Sequence, residues 1–182
     1  SEADKVVKEV DDIVARNTEE NDKSSKRVED IIRENDKHAE EVVRDIRRLA
    51  EELRELRERG EIREKRLEEV RRRVEELLRE HKEENDRSAE EIKKILRDLA
   101  ERNKDSLRRI RKLLKDLKDK NLPEELEKRL RDVVRRAEER LRDVNRSDEE
   151  VVRRAEELLK RVDDRVKTVV EELKKTLDDE RR

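Results

Sequence analysis

The 182-residue chain has no aromatic residue, no Cys and no Met, with a single Gly and a single Pro. Without Cys there is no disulfide framework, thiolate nucleophile or thiolate metal site. Without Phe, Tyr or Trp the chain lacks the usual aromatic stacking platform for single-stranded nucleic acid. Long hydrophobic runs are missing too. The uncharged stretches are a few residues long, against the roughly 20 that a membrane helix needs, so no membrane partner is expected. Neither sign of charge dominates. Lys plus Arg number 53 and Asp plus Glu 55, a formal charge of −2. The signs interleave, and nothing resembles a basic footprint for phosphate. Arg71-Arg72-Arg73 is flanked by Glu68, Glu69, Glu75 and Glu76, the pattern of a solvated helix face. Ser1-Glu2-Ala3-Asp4 leads straight into charged amphipathic sequence. No leader is therefore expected, no natural compartment is implied, and recombinant chain should be soluble in the cytoplasm.

What is present is charge: 59% of residues are Asp, Glu, Lys or Arg and only 30% are apolar. Such a balance normally signals disorder. Periodicity overrules it, because a long helix needs only a narrow apolar stripe and Ala, Glu, Lys, Leu and Arg are strong helix formers. Arg57-Glu58-Arg59-Gly60 reads as a basic last turn followed by a C′ glycine. Asn121-Leu122-Pro123 reads as an Asn cap, an apolar contact and a Pro in the first helical turn. Cutting there predicts helices over about 2–58, 62–120 and 123–180, within a single helical-bundle domain over 1–182. Each helix has about 57 residues, a length of roughly 85 Å. Equal lengths and short connections predict an all-α, antiparallel up-down-up three-helix bundle of long coiled-coil helices.

Apolar residues recur in steps of three and four, as in Val7-Val10-Val14 and Leu67-Val70-Val74-Leu77. In the third helix the phase runs from Leu141 through Val144 to Val151 and Leu158, so that helix is expected to be continuous. The competing reading breaks it at Asn145-Arg146-Ser147-Asp148-Glu149-Glu150, a C′ Asn followed by a Ser-x-x-Glu capping box. Apolar doublets such as Val6-Val7, Ile31-Ile32, Leu158-Leu159 and Val169-Val170 widen the stripe beyond strict a and d positions. A stripe this wide suits three quarters of a four-helix bundle.

Polar residues interrupt that stripe at a fixed spacing: Asn21 with Ser24, Asn35 with His38, Asn85 with Ser88, and Asn103 with Ser106. Three residues apart, both side chains share one helix face. If the first two helices turn near residue 60, facing residue numbers sum to about 121. Asn17 with Asn103, Asn35 with Asn85 and His38 with His81 all meet that condition within a turn. A third helix parallel to the first brings Asn145 beside Asn21 and Ser147 beside Ser24. Two polar slabs result. One holds Asn17, Asn21, Ser24, Asn103, Ser106, Asn145 and Ser147. The other holds Asn35, His38, His81, Asn85 and Ser88, with Asp163 the nearest polar residue of the third helix. Burying such groups costs free energy unless each finds a partner, so the slabs read as devices that set helix register and partner choice. The bland alternative is that they are ordinary solvated Asn and Ser.

With Glu/Lys/Arg-saturated surfaces, clean Val/Ile/Leu seams, minimal loops and Asn-x-x-Ser or Asn-x-x-His layers, the whole chain resembles computationally designed helical bundles with buried hydrogen-bond networks. Within that class it is similar to the three-helix member of a designed heterodimer whose partner is a single helix. The resemblance implies an artificial assembly protein with no catalytic residues. A self-contained monomeric bundle is the structural rival.

His38 and His81 face each other in this register, which raises a metal site. Zinc needs four ligands, or three plus water, and only Asp163 is near enough to be a third. The Glu-x-x-His pattern of di-iron bundles is absent, because residue 35 is Asn and residue 78 is Leu. A hydrogen-bonding core pair is the stronger reading, with a metal-binding scaffold as the lesser alternative. No enzyme is expected: Ser and His lie in helix interiors, whose amides are already bonded and cannot form an oxyanion hole. No cofactor, metal, small-molecule substrate or nucleic acid is expected. The expected partner is another helical chain, a single helix or hairpin, or a further copy of this one.

Overall fold

The computed structural model describes residues 1–180. Three helices follow one another: α1 (Glu2–Glu58), α2 (Glu64–Lys118) and α3 (Glu124–Glu180). They form an antiparallel three-helix bundle. Ser1 caps α1: its Oγ accepts the Asp4 amide at 3.3 Å and its carbonyl accepts the Lys5 amide. Gly60 ends α1 in the left-handed region at φ 67. The Gly60 amide bonds to the Arg57 carbonyl, and the Glu61 amide to that of Leu56. Those two bonds make a Schellman motif, which satisfies carbonyls the helix end would otherwise orphan.

Asn121 plays a different part from the one expected. It is no cap of α3. With φ 48 it occupies the left-handed region three residues past the end of α2, one place later than Gly60 lies past α1. Asn tolerates that conformation because its short polar side chain can bond locally. The Pro123 carbonyl then accepts the Glu127 amide, the first helical bond of α3. α2 is accordingly two residues shorter at each end than expected.

The chain divides into two compact units, one of Ser1–Glu29 with Ile92–Arg154, the other of Asp30–Glu91 with the chain from Ala155 onward. In the first unit Glu2 pairs with Lys120, Glu9 with Arg109 and Glu20 with Arg102, so α2 descends as α1 rises. Asp4 pairs with Arg129, which sets α3 parallel to α1. Its core centres on Val10, Val14, Ile110, Val134 and Leu141, with a smaller cluster of Ala3, Leu117 and Leu130 that Leu122 covers. In the second unit Glu52 pairs with Arg66 and Asp45 with Arg73, again antiparallel. Arg165 pairs with Asp36 and Arg57 with Glu180, again parallel. Its core runs through Ile46, Leu53, Leu67, Val70, Leu77, Val166 and Leu173.

α3 is unbroken through Asn145–Ser147, and its buried face departs from the expected one at Val151 and Leu158. The row Ala137, Val144, Val151, Leu158 moves outward along the helix: Ala137 is buried, Val144 and Val151 half-buried, and Leu158 41% exposed. The row Asn145, Val152, Leu159, Val166 moves inward in its place. An α-helix has 3.6 residues per turn, so a seven-residue row drifts by about 20° per heptad. Over three heptads the drift hands the core from one row to its neighbour. Val152 and Leu159, not Val151 and Leu158, are the core residues there. Among the described residues, no helix is long and apolar enough to cross a membrane.

Candidate functional site in two buried polar layers

Each unit carries one polar layer. In the first, Asn17 Nδ2 donates to Ser106 Oγ at 3.0 Å, tying α1 to α2. Asn21 Nδ2 donates to Asn17 Oδ1 at 2.8 Å, one turn along the same helix. Asn103 Nδ2 donates to Asn145 Oδ1, tying α2 to α3. Asn17, Asn21 and Asn103 are buried; Ser106 and Asn145 are half-buried. Ser24 is half-buried and joins none of these bonds. Ser147 is exposed, so the expectation that it belongs to this layer is corrected. The neighbouring Asp148 is the residue turned inward, 5% exposed. It lies on the continuously buried row Leu141, Asp148, Ala155, Val162, whereas Ser147 lies on the exposed row Arg140, Ser147, Arg154, Arg161.

This layer is incompletely satisfied. Asn21 Oδ1, Asn103 Oδ1 and Asp148 Oδ2 are buried with no hydrogen-bond partner. Burial, and then the negative charge of Asp22, push the Asp148 carboxyl up to about 6. Both causes oppose its ionised form: desolvation removes its water, and Asp22 repels it.

In the second layer Asn35 Nδ2 donates to Ser88 Oγ at 3.0 Å and reaches Asn85 Oδ1 at 3.5 Å, tying α1 to α2. His81 Nε2 lies 3.0 Å from Asp163 Oδ1, tying α2 to α3. An ionised carboxylate only accepts, so Nε2 carries the proton and Nδ1 is the acceptor in the neutral ring. Lys167 Nζ sits 2.8 Å from Asp163 Oδ2. Partial burial alone would raise the Asp163 carboxyl. The hydrogen bonds from Lys167 and His81, and their charges, outweigh it and hold this group below the ordinary carboxylate range. Asn35 Oδ1 and His38 Nδ1 are buried without a partner. His38 is half-buried and joins no bond to His81, so the facing pair is replaced by a His81–Asp163–Lys167 chain.

Chemically, the layers offer amides, hydroxyls and one carboxylate-bound imidazole, all in helix interiors. Among the described residues there is no group of three or more His, Cys, Asp or Glu able to hold a metal ion. Two members were missed by sequence reasoning. Asp148 could have been found by extending the Leu141 row by seven residues. Lys167 could have been found as the i+4 neighbour of Asp163, the spacing that puts opposite charges side by side on a helix.

No protein-family profile and no curated protein matches the chain. Among solved structures it is similar to one described as a "Computationally designed three helix bundle", with a TM-score of 0.40 and 18% identity. The match covers 98% of this chain and 83% of that one. At that TM-score the likeness fixes neither origin nor function.

Proposed function

We propose that the chain is an artificial structural protein whose purpose is assembly. Its two polar layers fix which helices pair and in what register, and its apolar seam receives a further helix by helix-in-groove burial. The observation that carries this reading is the set of cross-helix bonds Asn17–Ser106, Asn103–Asn145, Asn35–Ser88 and His81–Asp163. Each joins two helices at a core position where Leu or Val would be worth more as hydrophobic burial. A slipped or mismatched helix breaks such a bond and strands its donor, at about 1–3 kcal/mol each. The acceptors left over, on Asn21, Asn35, Asn103 and His38, are consistent with an assembly that has more to bind.

A second reading, a self-sufficient monomer, draws on a specific observation. Leu158 is the one large hydrophobic side chain exposed among the described residues. Solution mass across a dilution series separates the two. Self-association, or a helical chain that co-purifies, supports the assembly reading. A mass fixed at 22.2 kDa at all concentrations, with no helix bound, refutes it.

A further inference from the structure

Within the first unit, α1 and α3 enclose a surface groove of about 1160 Å³, running from Val7 to Asp22 on one side and from Glu125 to Arg140 on the other. Its floor is apolar or small: Val7, Val14, Ala15, Val133 and Ala137. Thr18 also lines it, but its hydroxyl is already bonded to the Val14 carbonyl at 2.9 Å. The floor therefore asks nothing polar of an occupant, and its small side chains allow the 8–10 Å approach of a packed helix. Two smaller grooves differ. That of 580 Å³ in the second unit has Val43 as its one apolar residue, and that of 670 Å³ in the first has Ile13. Both are otherwise charged or polar and read as solvated surface.

The rims of the large groove carry opposite charge. Every charged residue from α1 is acidic: Asp11, Glu19 and Asp22. α3 contributes Lys128, Arg129, Arg136 and Arg140 against Glu125 and Asp132. We infer that this groove seats a single amphipathic helix of about three heptads, with small or branched apolar residues at its seam, a basic edge along α1 and an acidic edge along α3. The 16-residue stretch Val7 to Asp22 is about 24 Å of helix, which three heptads cover. The inference rests on the helix-receiving reading above and names the partner's chemistry and its seat. A helix with one basic and one acidic edge matches these rims in only one direction, so the groove also sets the partner's orientation.

The test uses the full chain and a fluorescently labelled synthetic helix of about three heptads, with Val and Ala at the seam, Lys on one edge and Glu on the other. A second peptide carries Glu on both edges. Anisotropy titration should show the mixed-edge peptide binding at least about tenfold more tightly than the all-Glu one. Glu19→Lys with Asp22→Lys should reverse that preference. Ala15→Gln, at an exposed helical position, fills the floor without changing charge or fold and should weaken both peptides about tenfold. Circular dichroism checks that each variant is folded. Equal binding of both peptides, or no effect of Ala15→Gln, overturns the inference while leaving helix pairing intact. No binding of either peptide, with the mass fixed at one chain, overturns both.

Discussion

The two units share a scaffold and differ in how their polar layers treat charge. The second layer contains a carboxylate, Asp163, flanked by two donors and shielded by partial exposure. The first contains a carboxylate, Asp148, more deeply buried, with one oxygen orphaned and another carboxylate as its neighbour. The same side chain, half-buried among donors in one layer and buried without them in the other, thus stabilises one unit and loosens the other. What decides is the partner set: a buried acid is tolerable when donors are built around it and costly when they are not.

That contrast can be broken most forcefully at Asp163. Asp163→Ala leaves His81, which is buried, without its acceptor and frees Lys167. The second unit should lose about 2 kcal/mol. Hydrogen exchange read separately over the two units should place the loss there alone. Loss in both would mean the layers are not independent.

Asp148→Asn should do the opposite, adding about 1–2 kcal/mol to the first unit at pH 7.5 by removing an uncompensated buried charge. The pH dependence carries the same information. Because the folded Asp148 carboxyl lies at about 6, above the ordinary value of about 3.9, its contribution to stability is fully present below pH ~4 and is lost as pH rises through about 6. Asp163 has the reverse sign: its contribution is present above pH ~4 and disappears only as pH falls below the ordinary carboxylate range. Between pH 7 and 4.5 the first unit should therefore gain protection while the Asp163 contribution persists. Asp148→Asn should abolish the gain. A gain that survives the substitution assigns it to another group.

A smaller effect sharpens the comparison within the first layer. Ser106→Ala removes the acceptor of a buried amide and should cost about 1 kcal/mol, whereas Ser147→Ala, at an exposed site, should stay within about 0.5 kcal/mol of zero. Least of all in stability, Asn35→Leu with Asn85→Leu should leave unfolding free energy unchanged or slightly raised while weakening discrimination between helical partners. An unfolded double variant would contradict the specificity role.

Much of the fold was legible because it depends on local signals. Gly60 and Pro123 mark the connections, and stepwise apolar residues mark the helices. The core of α3 was legible only in part, because a heptad template has 3.5 residues per turn and the helix has 3.6. Val151 and Leu158 match the template, while Val152 and Leu159 match the helix. Ser147 has a different cause: the offset from α1 to α3 locates a residue only to within a turn, and the inward position there is that of Asp148. The α1–α2 register is legible to within a turn: Asn35 reaches the expected Asn85 and also Ser88, whereas Asn17 bonds Ser106, one turn beyond the expected Asn103. The His81–Asp163–Lys167 chain was half visible, since Asp163 was the nearest polar residue of α3. His38 went astray because hairpin arithmetic locates a residue to within a turn and says nothing of the rotamer that brings two rings together.

The turn at residue 60 has a consequence for connectivity. Around it, Arg59, Gly60, Glu61 and Arg63 are exposed, and a Cβ at Gly60 would meet nothing within 4 Å. Such a site tolerates backbone opening, since few packed groups depend on it. Its contribution to the bundle is an effective concentration, of millimolar order for a short tether, which holds α1 against α2. Cleaving the chain there would turn α1 into a separate helix that docks onto a hairpin. Its affinity for that hairpin would then be a measurable equilibrium, set by the seam and its polar layers rather than by the tether.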